Sequence, residues 1–418
     1  GRGAKPVIAL EFGKERWSSI DFHRQIEGAV ADLLNRSTGS NHIEFIDAHS
    51  TPETVWRVHA CRKTDTQCVI IPPQSTAEQR EHIRTLAETT IQQGDHPAWL
   101  WIPTSGTTGS PRLIGLSNDQ LQASANASQA RLGHQESDRW LCCLPLHHIG
   151  GLSIALRTFQ YETTMVLHPH FSAAEVSDAI DGEGITQVSM VPTMLKRVLD
   201  HRQNRAFPPH LRFILLGGAP ASTALIDRCR VLRAPVAITW GMTETASQVA
   251  TRSPGDLRGD PDVGLPLPGM KVTVQQGRLV VQGAIAPGGE YTTSDRGSVD
   301  DQGRVTVYGR GTDLIISGGE NIDPSSIERA IELHPNVEEC AVVGRASEEW
   351  GERPIAFVVG TPTQNLSKWI ADKLQKFQQP DDFIWIDALP RTSMGKLDRA
   401  TLVNKAQVSH RVSEGSGD

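Results

Sequence analysis

Over roughly the first three hundred residues, short apolar runs give way to turns marked by glycine or proline, then to stretches with helical period. The segment AWLWIPTSGTTGSP at 98–111 is one such unit. In ITQVSMVPTMLKRVL a strand ends near Val191 and a helix follows, with Pro192 near its first position. LRFILLGGAPAST and APVAITWGMTETAS repeat the theme. Strands alternating with helices imply crossover connections and a largely parallel sheet, whose ligands bind beyond the carboxyl ends of the strands. The polar turns at 104–109, 217–220 and 241–245 are therefore expected to meet in one crevice.

The pattern changes near residue 255. VGLPLPGMKVTVQQGRLVVQG alternates and turns on Gly and Pro, which predicts short antiparallel strands. DPSSIERAIELH opens with Asp323 as N-cap and Pro324 at the first helical position, with Ile327, Ala330, Ile331 and His334 at helical spacing. ECAVVG and IAFVVG read as strands, and LSKWIADKLQKF as an amphipathic helix with Leu366, Trp369, Ile370, Leu374 and Phe377 on one face. The expected fold is α/β: a large N-terminal domain of mostly parallel sheets flanked by helices with a small β subdomain, then a small mobile C-terminal α+β domain. The boundary falls in GRGTD, giving 1–310 and 311–418, with a disordered polar tail, SHRVSEGSGD.

Composition narrows the class. The 418 residues exceed what one core serves, and 38% hydrophobic with 21% charged is ordinary for a globular protein. A net charge of −7 with interspersed signs argues against a nucleic-acid surface or a basic membrane anchor. No apolar stretch reaches the roughly 18 residues of a membrane span, so no membrane insertion is expected. Without a signal-like core in GRGAKPVIALEFGKERW, and with six cysteines lacking framework spacing, a cytoplasmic chain with reduced thiols is expected. A homo-oligomer is compatible with all of this. Cys142-Cys143 near His147-His148 does not follow zinc spacing, and LCCLPL reads as a buried strand.

Candidate chemistry sits in the turns. Phosphate needs inward-facing amides, which glycine permits, and TSGTTGSPR supplies Gly106 and Gly109 with Thr104, Ser105, Thr107 and Thr108, then Arg112. The spacing excludes the common nucleotide loop, which would end in glycine-lysine. Alone, the stretch is equally a solvated turn. GGAP at 217–220 leaves bare backbone for a flat ring; GMTETAS offers Thr243 as a donor and Glu244 as a hard oxygen ligand for magnesium. Glu244 also suits a helix N-terminus. Asp295 in TSDRG has two oxygens for a ribose diol or serves an ordinary turn, and Lys396 follows glycine in a loop where most lysines are simply solvated.

In this order, from about Ala98 to Arg399, these segments resemble the adenylate-forming superfamily of acyl-CoA synthetases, adenylation domains and luciferases. CCLPLHHIGGLSIALRTF, WGMTETASQVAT and GRGTDLIISGGENIDPSSIE are most similar to its o-succinylbenzoyl-CoA synthetase branch, of menaquinone and phylloquinone synthesis. The resemblance implies a two-step ligase using ATP, Mg2+ and coenzyme A. A carboxylate attacks the α-phosphorus of ATP, pyrophosphate leaves, and the thiol of CoA then displaces AMP. It implies that the 104–109 loop grips the β/γ-phosphates, Glu244 binds magnesium and Thr243 touches the α-phosphate. Gly217, Gly218, Ala219 and Pro220 would line the adenine, with Trp240 and Gly241 beside it, and Asp295 and Arg310 would hold the ribose. Lys396 would bridge the carboxylate and the α-phosphate. Asp313 matches the hinge about which the small domain turns, and Gly318 and Gly319 would approach the pantetheine tunnel in the second pose. His148 matches a histidine at the acyl pocket.

The chain departs from the family pattern at Arg112, where lysine is usual, at TSD for TGD, and at Trp240 in place of a tyrosine. The stretch before the loop is also short. The second carboxylate of o-succinylbenzoate needs a cation or donors, since an unpaired buried charge is costly. Ser153 and Arg157, one helical turn apart, are candidates, with Ser247 and Gln248 as alternatives; Arg157 reads more readily as part of a solvated helix face. A ligase for another aryl or short acyl acid, an amino-acid adenylation domain, or a non-catalytic nucleotide binder are the competing readings. The absence of a carrier segment after the last motif favours free CoA, and retention of Glu244 and Lys396 favours catalysis.

Overall fold

The computed structural model describes residues 7–36, 42–92, 97–105, 111–258, 262–310, 313–317, 320–347, 349–392, 395 and 397–414. A nine-stranded sheet orders Leu265–Pro266, Ala250–Thr251, Val236–Trp240, Phe213–Leu216, Gln187–Met190, Arg139–Cys142, Thr164–Leu167, Ile8–Phe12 and Glu15–Ser18 from edge to edge. Its interior strands, from Val236–Trp240 to Ile8–Phe12, run parallel, and the flanking strands are antiparallel. Helices Ala173–Gly182, Pro192–Arg202 and Thr223–Val231 cover one face through a core that includes Val176, Ile180, Leu195, Leu199 and Ile226.

A second sheet orders Ile43–Asp47, Gln67–Ile71, Ala98–Ser105 and Pro111–Ser117. Helix Ile149–Tyr161 lies between the two sheets. Its Ile149, Leu152 and Leu156 join the core of the second, and Ile154 and Ala155 join that of the first. Every residue from Gly151 to Thr158 is buried. A helix that packs all round has no solvated side, so the expected exposed face at Arg157 does not form.

Two readings of strand–turn–helix are corrected. Ala98–Ser105 is followed by an antiparallel partner, with Ser105 opposite Pro111, and only then by helix Asn118–Leu132. PRLIGLS is itself strand-like, and Gly115 lies flat against Trp101. Val236–Trp240 is followed not by a helix but by a single tight turn, Thr243–Thr245, and a return strand. The units around Pro192 and Ser222 form as expected, with Val191 and Ser222 as N-caps.

Strands Lys271–Gln275, Arg278–Gln282, Glu290–Val299 and Val305–Arg310 make an antiparallel meander. The last sheet begins at Ile315 and combines Glu320–Ile322, Ile315–Ser317, Gly351–Gly360 and Val337–Ser347, with Asp382–Trp385 alongside. Asp323 caps helix Pro324–Glu332 by accepting from the Ser325 amide at 3.0 Å, and Ile327, Ile331, Leu366 and Ile370 are buried beneath. Helix Arg399–Glu414 carries regular backbone into the segment read as a disordered tail. Among the described residues no helix is long and apolar enough to cross a membrane.

Candidate active site

At the carboxyl end of Phe213–Leu216, Gly217 runs against the neighbouring strand; a β-carbon there would stand 2.7 Å from Thr239 Cγ2. Gly218 and Pro220 are exposed and Ala219 half-buried, so the GGAP backbone is open on its outer side. One strand over, Gly241 follows Trp240. A β-carbon on Gly241 would fall 1.7 Å from the Ser247 carbonyl oxygen, a contact no side chain tolerates. This close approach lets the chain turn back on itself. Within the turn Ala246 (φ 53) and Ser247 (φ 95) both take left-handed backbone, each costing on the order of 1–3 kcal/mol unless neighbours hold it.

A buried polar network does the holding. Ser124 Oγ donates to the Ala246 carbonyl at 2.7 Å, and Arg157 donates to Ser124 Oγ at 3.0 Å and to Gln248 Oε1 at 2.6 Å. Ser128 Oγ also donates to Gln248 Oε1 at 2.8 Å, and the Gln248 amide nitrogen reaches Thr251 Oγ1 at 3.0 Å. Arg157 is 2% exposed and Gln248 0%. Both ends of the Gln248 amide are occupied, so Gln248 lies behind the turn rather than on an open face. Arg157 joins it there: its hydrogen bonds go to neutral partners, and among the described residues no carboxylate pairs with it. Burial lowers the guanidinium from its usual range, with Tyr161 opposing.

The open side of the turn carries the charges. Glu244 Oε1 accepts from the Tyr291 hydroxyl at 3.3 Å, and among the described residues its second oxygen has no hydrogen bond. Tyr291, Thr293 and Asp295 alternate along Glu290–Val299, so the tyrosine and the aspartate share a face. Burial, then Glu244, pushes the Tyr291 hydroxyl up to about 12, while Arg112 opposes. Burial likewise raises the Asp295 carboxyl; Trp240 and Arg310 lower it, and Asp313 and Glu244 raise it again. Trp240 Nε1 donates to Asp295 Oδ2 at 2.8 Å, so the indole holds one oxygen of this carboxyl. Arg310 stands opposite Asp295 in strand register.

Thr104 faces Arg112 across the hairpin, its Oγ1 3.5 Å from the Arg112 carbonyl, and Ser105 ends the strand. Gly106, Thr107, Thr108 and Gly109 lie outside the described residues, as do Gly318, Gly319 and Lys396. His148 sits at the N-cap position of helix Ile149–Tyr161 without a side-chain cap bond, its ring 4.2 Å from that of His147, whose imidazole burial pushes down to about 4. Ser153 is 4% exposed and donates to the Gly150 carbonyl at 3.2 Å. Asp313 Oδ2 lies 3.6 Å from Arg399 Nε. Thr243 and Ser247 are half-buried on the turn itself. Tyr291, Ser124 and Thr239 escaped the sequence reading; the alternation YTTSD holds the only signal for Tyr291.

The model for AMP-binding enzymes matches residues 26–295, and that for the AMP-binding enzyme C-terminal domain matches 326–396. The chain belongs to the AMP-binding enzyme family. Among AMP-binding enzymes it is 33% identical over 436 residues to the 2-succinylbenzoate–CoA ligase of Bacillus cereus (strain ZK / E33L), covering 96% of this chain and 88% of that one. Among solved AMP-binding enzymes, the o-succinylbenzoate coenzyme A synthetase (MenE) from Bacillus subtilis in complex with ATP and magnesium ion matches at TM-score 0.84 and 28% identity, over 95% of this chain and 96% of that one. A double mutant of that synthetase bound with its product analogue OSB-NCoA matches at TM-score 0.69 and 28% identity, over 95% of each chain.

Proposed function

We propose that the chain is an ATP-dependent ligase that activates 2-succinylbenzoate as an acyl-adenylate and passes it to the thiol of coenzyme A. The observation that carries this reading is the meeting of Glu244, Asp295 and Arg112 around Tyr291, next to the Trp240–Gly241 turn. The likeness to ligases of this activity supports it.

Carboxylate and triphosphate are both anions, so activation depends on positioning and charge compensation more than on proton transfer. Asp295, with one oxygen held by Trp240, keeps acceptor capacity for a ribose hydroxyl. Arg112, exposed at the root of the hairpin, meets phosphate oxygens, and the GGAP backbone admits the adenine edge. The free oxygen of Glu244 and the crowding of carboxylates fit a hard divalent cation; magnesium bound there neutralises charge on the phosphates. Lys396 neutralises the reacting oxygens. Asp313, between the meander and the last sheet, serves as the hinge about which the small sheet turns between the two half-reactions.

His148, Ser153 and Ser247 line the acid pocket in this reading, and Arg157 supplies the positive field for the second carboxylate. Arg157→Ala is then expected to raise KM for 2-succinylbenzoate well above any change in KM for ATP. Equal rises would restrict Arg157 to holding the turn. The activity itself is tested by exchange of labelled pyrophosphate into ATP across a panel of acids, with detection of CoA thioester. 2-Succinylbenzoate is expected to support both signals; no exchange with any acid overturns the proposal.

A further inference from the structure

We propose that Lys196, Glu339 and Arg391 form an ionic bridge that positions the turn around Gly395 against the large sheet for the acid-activating half-reaction. Lys196 belongs to helix Pro192–Arg202 of the large sheet, and Glu339 to strand Val337–Ser347 of the last sheet. Lys196 Nζ lies 3.0 Å from Glu339 Oε1, and Arg391 reaches Glu339 Oε2 at 2.5 Å. Burial raises the Glu339 carboxyl, but Lys196 and Arg391 outweigh it and leave it below its usual value.

Arg391 pairs with Leu397 in an isolated bridge and donates to the Gly395 carbonyl at 3.2 Å, and the Gly395 amide donates to the Thr392 carbonyl at 2.8 Å. Gly395, in left-handed backbone (φ 72), sits so close to the same helix that a β-carbon would stand 2.4 Å from Thr193 Oγ1. Thr193 and Lys196 are three residues apart and share a helix face. One face of one helix therefore meets Gly395 by contact at Thr193 and, at Lys196, Glu339, which in turn holds Arg391. Any rotation that moves the last sheet off this face separates Lys196 from Glu339.

The inference rests on the ligase reading, so its test has one arm independent of activity. In the first arm, Lys196→Met is expected to slow single-turnover pyrophosphate release by about three- to fivefold, the scale of a partly exposed ion pair. KM for the acid and thioester formation from supplied acyl-adenylate should stay within about twofold, and Lys196→Arg should restore the rate. Equal loss in both halves, no loss in either, or failure of the arginine variant overturns the bridge. In the second arm, spin labels at Asp178→Cys and Lys405→Cys, both exposed on helices, report the distance between the sheets with ATP present; the native cysteines are buried. Lys196→Met is expected to broaden a narrow distribution, and an unchanged distribution overturns the proposal even if the acid is misidentified.

Discussion

Lys396→Ala is expected to slow acyl-adenylate formation by roughly 10²–10³-fold or more, the scale of deleting one preorganised transition-state donor. The argument is one of charge. Burial raises the Asp295 carboxyl, and Asp313 and Glu244 add to the rise. Arg112 and Arg310 stand at the phosphate and ribose ends of the proposed nucleotide, which leaves the junction of carboxylate and α-phosphorus to Lys396. Its neighbour Gly395 is seated on Thr193, at the mouth of the strand Gln187–Met190. Thioester formation from supplied acyl-adenylate needs no such cation and should survive. Single-turnover pyrophosphate release and thioester formation, measured separately, check this; equal losses would refute the division of labour.

The opposite split is expected at Asp313. It lies between Arg310, which ends the meander, and Ile315, which begins the last sheet. Asp313→Pro fixes φ near −65° and should hold the acid-activating pose, so that pyrophosphate release continues while thioester formation falls by about tenfold or more. The substitution also removes the carboxylate that faces Arg399. Asp313→Ala separates the two effects, because it loses the charge but keeps the torsional freedom and should retain thioester formation. Unimpaired thioester formation in the proline variant would count against a hinge here.

Local signals carried much of the architecture. Pro192 at the first position of its helix, and Asp323 as N-cap with Pro324 after it, are signals complete within a few residues. The errors arose where distant segments decide. PRLIGLS became a strand because Ala98–Ser105 offers it an edge, and the turn at 241–247 reverses because Gly241 meets the backbone of Ser247. Arg157 looked like a solvated residue because nothing nearby reveals a second sheet over its helix. Glu244 was legible as a carboxylate in a turn, whereas Asp295 lies on strand Glu290–Val299. Their linkage through Tyr291 and Trp240 belongs to strand pairing, which the sequence does not display.

The buried helix Ile149–Tyr161 has His148 at its head and Arg157 near its foot. Under the proposed function it joins the acid pocket to the turn that bears Glu244. A shift along its axis would move His148 and, through Ser124 and Gln248, the strained turn bearing Glu244. With His148 at the acid and Glu244 at the metal–nucleotide pair, as proposed, each ligand is expected to alter the other's affinity by the same factor, by thermodynamic reciprocity. Re-tooling this scaffold for a bulkier acid would therefore require compensating changes at the foot of the helix, far from the enlarged pocket.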